Sequence, residues 1–243
     1  MSLLDHLFVL LVMVLAFPLD GWWAYRRFLD RLAREGGAAL VREYRITILW
    51  LVLLGAATLG IWAAAGRDLA ALGFAAPREG PAGGLVFGIS GGALIGLALR
   101  PVAAAVSAKA RAGLRRQMAK LEAFLPKTKE QLAWGLLVSL CAGLFEEIGY
   151  RGYLIPYCRF WLPEWPALIV AALLFGLAHL YQGAAGIAMT AFLGLAFGFI
   201  YMETGSLALP ILLHAAVDIS AMVTAWLVFR PNAAEATSPD ETR

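Results

Sequence analysis

Charge is what this sequence has least of. Lys, Arg, Asp and Glu make up 15% of its 243 residues against 61% hydrophobic, and the mean hydropathy is +0.73. That composition excludes an ordinary soluble domain and specifies a polytopic helical membrane protein. The net charge of +3 calls for no nucleic acid, because the basic residues cluster in loops between apolar runs. Cysteine is nearly absent too. Cys141 and Cys158 lie seventeen residues apart, about 25 Å along a helix, which excludes a disulfide between them. No Lys or Arg precedes the first apolar run, so a cleaved signal peptide is not expected and that run is read as a span. No internal repeat is visible.

The chain does have long apolar runs, at about 6–25, 45–66, 84–106, 131–155, 166–182, 187–202 and 207–229. The expected fold class is all-α, a polytopic transmembrane helical bundle of about seven spans with a polar centre within the membrane. Residues 1–130 are read as N-terminal transmembrane helices with basic loops, 131–230 as a catalytic-type membrane core, and 231–243 as a disordered tail. The short fifth and sixth spans, separated by Gln182–Gly186, predict a tight helical hairpin. Arg26 to Arg45 and Lys109 to Lys129 load two alternate loops with positive charge, which predicts a cytoplasmic location for both and an external N-terminus. Between 108 and 124, Leu114, Met118 and Leu121 share one helical face among basic neighbours. This segment reads either as an amphipathic helix on the membrane surface or as a solvated connector.

Ionisable residues inside the apolar runs are the informative exceptions, because they are expensive there and face a bundle interior or a wet cavity. Glu147 and Arg151 are four apart on one helical face and can pair. Glu146 is turned about 100° away from that pair, and Gly143 and Gly149 keep its face of the helix low, so a second backbone can approach. Two more i,i+4 pairs follow downstream, Phe175 with His179 and His214 with Asp218. Counted from the outer ends of their spans, Glu146 lies about 13 Å deep, His179 about 20 Å, and His214 and Asp218 about 10 and 17 Å. Three spans can therefore contribute to one polar centre. His6, beside Asp5 at the membrane entrance, has no partner at helical spacing.

Each element taken alone has a plainer use. Glu147–Arg151 can be a structural ion pair, His179 a satisfied packing histidine, Phe175 core, and His214–Asp218 a hydrogen bond within one helix. Together, a carboxylate outside the ion pair, two histidines and a second carboxylate at matched depth are costly to bury without use. A glutamate with little water around it suits a general base, and a histidine can help it polarise a water toward a peptide carbonyl. A second histidine can then donate to the oxyanion. Ser139 and Ser206 have no base at helical spacing. Cys141 with His179 as a thiol protease leaves the glutamates unexplained. Glu146, His179 and His214 can also be written as a His₂Glu zinc site, but no H-E-x-x-H or other clustered signature supports it. No cofactor is expected.

E-E-I-G-Y-R, F-G-L-A-H and H-A-A-V-D resemble, in order and on separate spans, the E-E-x-x-x-R, F-x-x-x-H and H-x-x-x-N/D motifs of the CPBP family (CAAX protease and bacteriocin-processing, also called ABI). The stretch Gly194–Leu213 is similar as well, so the resemblance covers about 131–225. It implies a glutamate-type intramembrane endopeptidase. Glu146 and His179 would activate the water, His214 and Asp218 would form or orient the oxyanion site, and Glu147, Arg151 and Phe175 would support them. Relatives that cleave prenylated C-termini often carry Asn at the position of Asp218. The expected substrate is a membrane-associated protein or peptide, either a lipidated C-terminus, a leader peptide or a sorting tag. The expected location is multi-pass in the plasma (inner) membrane. A non-catalytic immunity or scaffold protein binding a peptide in the same cavity is the alternative. A small transporter with a protonatable centre would have no need of two histidines plus Arg151.

Overall fold

The computed structural model of the protein describes residues 1–78 and 82–231. All of the tail expected to be disordered, except Pro231, lies outside them. Among the described residues, six helices are long and apolar enough to cross a membrane: α1 (Leu3–Glu35), α2 (Gly37–Ala64), α3 (Gly83–Val106), α5 (Lys129–Arg159), α7 (Gly183–Thr204) and α8 (Ala208–Phe229). Two further helices complete the series, α4 (Ala108–Met118) and the apolar α6 (Glu164–Ala178). No strand occurs among the described residues. The all-α fold of about seven apolar passes is as expected. One qualification concerns α6: its 15 residues span only about 22 Å, against about 30 Å of hydrocarbon.

The bundle is organised around α5. It begins in a capping box, with the Thr128 hydroxyl accepting from the Gln131 N–H at 3.2 Å and the Gln131 side chain accepting from the Thr128 N–H at 3.2 Å. It packs against α2 on one side and α8 on another, α3 lies along α8, and α6 and α7 form a hairpin. Small residues make these approaches possible. A Cβ on Gly143 would sit 2.8 Å from both the Cβ and the backbone nitrogen of Ala215 in α8. One on Gly176 would sit 2.8 Å from the Ile187 carbonyl oxygen across the hairpin. Close backbone approach at glycine is the usual device where lipid supplies no hydrophobic drive between helices.

Both ends of the bundle are tied by polar contacts. At the end away from the basic loops, the fully buried Asp5 accepts hydrogen bonds from Arg67 Nη1 (2.9 Å) and Nη2 (2.5 Å), Tyr153 Oη (2.5 Å), and the Ser2 nitrogen (2.6 Å) and hydroxyl (2.9 Å). The Asp5 carboxylate holds the Arg67 guanidinium above its ordinary range. His6 Nδ1 meets the Tyr157 hydroxyl at 2.9 Å. At the basic end, Tyr44 donates to the Phe124 carbonyl (2.5 Å) and Gln131 Nε2 to the Gly37 carbonyl (3.2 Å).

The sequence boundaries need two corrections. The first span does not stop near residue 25: α1 runs on through its basic residues to Gly36, which ends it at φ +61°. Phe28 is fully buried there, and Arg26 and Arg27 lie over the Trp22 and Trp23 rings at 4.0 and 3.7 Å. The hairpin turn comes earlier than Gln182–Gly186, as a 3₁₀ turn at Leu180–Gln182 closed by Gly183 at φ +74°. The segment from Ala108 folds as α4 and is held on the bundle along one edge. Its apolar edge, Leu114 and Met118, packs with Val228 and Phe229 at the end of α8.

Candidate active site

The site forms where α5 changes its winding. Its α-helical part closes at Glu146–Glu147, and Ile148–Leu154 continue as a π-helical turn. Such wide turns within helices are rare and frequently lie at functional sites, although α1 carries another at Phe8–Ala16. This one carries Arg151 back over Glu147, with Nη1 to Oε1 at 2.9 Å, and both side chains are almost wholly buried.

The same Glu147 oxygen takes a second partner from another helix. His214 Nδ1 of α8 lies 2.7 Å from Glu147 Oε1. Because an ionised carboxylate only accepts, Nδ1 carries the proton and Nε2 is left to face the other way. Nε2 points to Glu146 Oε2 and Asp218 Oδ2, each at 3.8 Å, beyond direct hydrogen-bond range. A bare nitrogen facing two carboxylates would be repulsive, so at least one proton is shared among these three groups. Glu146 is mostly buried, at 15% side-chain exposure, while Asp218 is the open member of the set at 35%.

His179 is the residue that caps α6. Its Nδ1 lies 2.9 Å from the Phe175 carbonyl oxygen. A carbonyl cannot donate, so Nδ1–H is the donor and a neutral ring presents Nε2 as an acceptor. Phe175 joins the parts: its ring lies edge-on to Tyr150, His179 and His214 at centroid distances of 5.0, 5.0 and 5.9 Å, and Arg151 sits 4.3 Å over its face. Beneath the His179 turn, Tyr181 packs with Tyr25 and Phe124 as an aromatic floor.

Glu146, Glu147, Arg151, Phe175, His214 and Asp218 thus lie in one neighbourhood, and His179 reaches it through Phe175. One expected contact is replaced by another. The imidazole of His214 is held not by Asp218, one turn along its own helix, but by Glu147 across the α5–α8 contact. Sequence spacing could not reveal a pairing between helices, although Glu147 was in view as the partner of Arg151. Tyr150 and Tyr181 also escaped the sequence reading. Tyr150 was within reach of it, four residues after Glu146. Among the described residues, no three His, Cys, Asp or Glu side chains are grouped to hold a metal ion, so the Glu146, His179 and His214 zinc set is not assembled in this geometry.

No curated protein and no solved structure matches the chain. Residues 128–220 match a protein family described as Rce1-like, type II CAAX prenyl endopeptidase Rce1-like. The match begins at the cap of α5 and ends just past Asp218, so it encloses all three polar motifs. By motif, fold and family match, the membrane-embedded core over residues 128–220 is similar to the Rce1-like type II CAAX prenyl endopeptidases.

Proposed function

We propose that the protein is an intramembrane endopeptidase of the plasma membrane that hydrolyses peptide bonds of membrane-associated substrates with a glutamate- and histidine-activated water, without a metal. The reading is carried by one observation above all. His214 is fixed at Nδ1 by Glu147 (2.7 Å) while its Nε2 faces Glu146 and Asp218. An imidazole so held is oriented for proton work, and a merely structural histidine would need only one of these neighbours.

In this mechanism Glu146 takes a proton from a water that also donates to His179 Nε2. The water oxygen attacks the carbonyl carbon, and the π pair moves onto the carbonyl oxygen, which His214 Nε2–H stabilises. As the tetrahedral intermediate collapses, the carbon–nitrogen bond breaks and the leaving nitrogen takes the proton from Glu146. Arg151 and Phe175 act by holding Glu147 and the two rings in place.

The test is cleavage by purified protein in lipid nanodiscs of two fluorogenic peptides. One ends in a farnesylated cysteine followed by three residues, and the other is the same peptide without the lipid. Glu146→Gln should lose at least about 10²-fold in rate and remain folded. Full turnover by Glu146→Gln would remove Glu146 from the reaction. Preference between the two peptides would decide whether the lipid is part of what is recognised.

A further inference from the structure

Seven buried side-chain polar atoms lack a hydrogen-bond partner among the described residues, and four of them belong to Glu146, Glu147, Tyr150 and Arg151. Buried polar groups are nearly always paired in folded proteins. Four unpaired ones within six consecutive residues mark a place where something else completes the hydrogen bonds. The three charged residues already have a part in the proposed hydrolysis. Tyr150 does not.

Tyr150 is 2% exposed, and its ring is seated edge-on against Phe175 at 5.0 Å. His214 meets the same Phe175 ring at 5.9 Å, so the two residues flank one aromatic side chain. A phenylalanine would fill this packing site equally well without burying an unpaired hydroxyl. The hydroxyl is therefore a burden on the resting fold, and a burden of this kind at a functional site is commonly kept for function.

We propose that Tyr150 is a catalytic residue of this chain, its O–H donating a hydrogen bond to the substrate carbonyl oxygen as that oxygen becomes negative. The proposal rests on the hydrolytic reading above. It adds Tyr150 to His214 Nε2–H as a second oxyanion donor. The proton stays on the phenol throughout: the carbonyl π pair moves onto oxygen, the oxyanion accepts from Tyr150 and His214, and the pair returns when the carbon–nitrogen bond breaks. Two donors on a developing oxyanion is the usual number, and each matters most in a site with little water.

The experiment compares wild type, Tyr150→Phe and Glu146→Gln in nanodiscs, measuring kcat and KM on the fluorogenic peptide that wild type cleaves, with thermal melts of each. Tyr150→Phe should lower kcat at least about tenfold with KM within about twofold, and should melt no lower than wild type. Wild-type kcat in Tyr150→Phe beside an inactive Glu146→Gln would overturn the role of Tyr150 while leaving the hydrolytic reading intact. A lowered melting temperature in Tyr150→Phe would overturn it too, because the hydroxyl would then be making a bond in the resting fold. Full activity in Glu146→Gln would instead bring down the hydrolytic reading, and this inference with it.

Discussion

Arg151→Ala tests the centre of the site through its stability. In the native protein Arg151 Nη1 reaches Glu147 Oε1 at 2.9 Å, with the two side chains 2% and 0% exposed. Removing one member of a buried ion pair leaves the other charge uncompensated, which typically costs about 3–5 kcal/mol. Here the loss should fall toward the lower half of that range, because His214 Nδ1 stays within 2.7 Å of the same oxygen. The lost cation over Phe175, now at 4.3 Å, adds about 0.5–2 kcal/mol back. At about 2–4 °C per kcal/mol for a chain of this size, the melting temperature should fall by roughly 7–24 °C. The assay is a fluorescence melt of purified protein in one detergent, beside Glu147→Gln and the Glu147→Gln/Arg151→Met double variant. Replacing both members should recover much of the loss, since an uncharged pair avoids the charge desolvation that the ion pair carries. An Arg151→Ala protein that melts with wild type would refute the reasoning and leave Glu147 without need of a cation.

Three other outcomes follow from the same geometry. Asp218→Asn should keep substantial activity, because Glu147 and not Asp218 holds the His214 ring, whereas His214→Ala should lose about 10²–10³ in rate; equal inactivation on one peptide would give the Asp218 charge a direct role. Gly143→Val should lower both the melting temperature and kcat, since its Cβ would fall 2.8 Å from the Ala215 nitrogen and such overpacking costs about 1–3 kcal/mol; wild-type rates would show that the α5–α8 distance does not set the Glu147–His214 contact. Activity should persist in chelator-washed protein, and a stoichiometric metal that tracks activity by elemental analysis would restore the Glu146, His179 and His214 ligand set.

The apolar runs and the three i,i+4 pairs were legible because both depend on distances along one helix, which the chain itself sets. What spacing cannot carry is partnership between helices. The contact from Glu147 to His214 crosses 67 positions, and the partners of Asp5 and His6, namely Arg67, Tyr153 and Tyr157, are as remote in the chain. Boundaries slipped for local reasons. Arg26 and Arg27 looked like the start of a loop, yet tryptophans one turn earlier in the same helix shelter both guanidiniums and let α1 continue. Gly186 looked like part of a turn, but the positive φ falls on Gly183, and Gly186 sits inside α7. The aromatic floor under His179 draws Tyr25, Phe124 and Tyr181 from three distant segments, so no single stretch announces it.

The shortness of α6 has an effect that belongs to the lipids around the protein. A helix about 8 Å short of the hydrocarbon thickness cannot be matched by tilting, which only shortens its projection further. A bilayer meets such a mismatch chiefly by thinning beside the short helix. Elastic deformation of that kind costs fractions of a kcal/mol per Å, enough to bias where the protein resides. It should gather in the thinnest membrane available to it. In bilayers of long, saturated lipids the mismatch beside α6, and its cost, should grow.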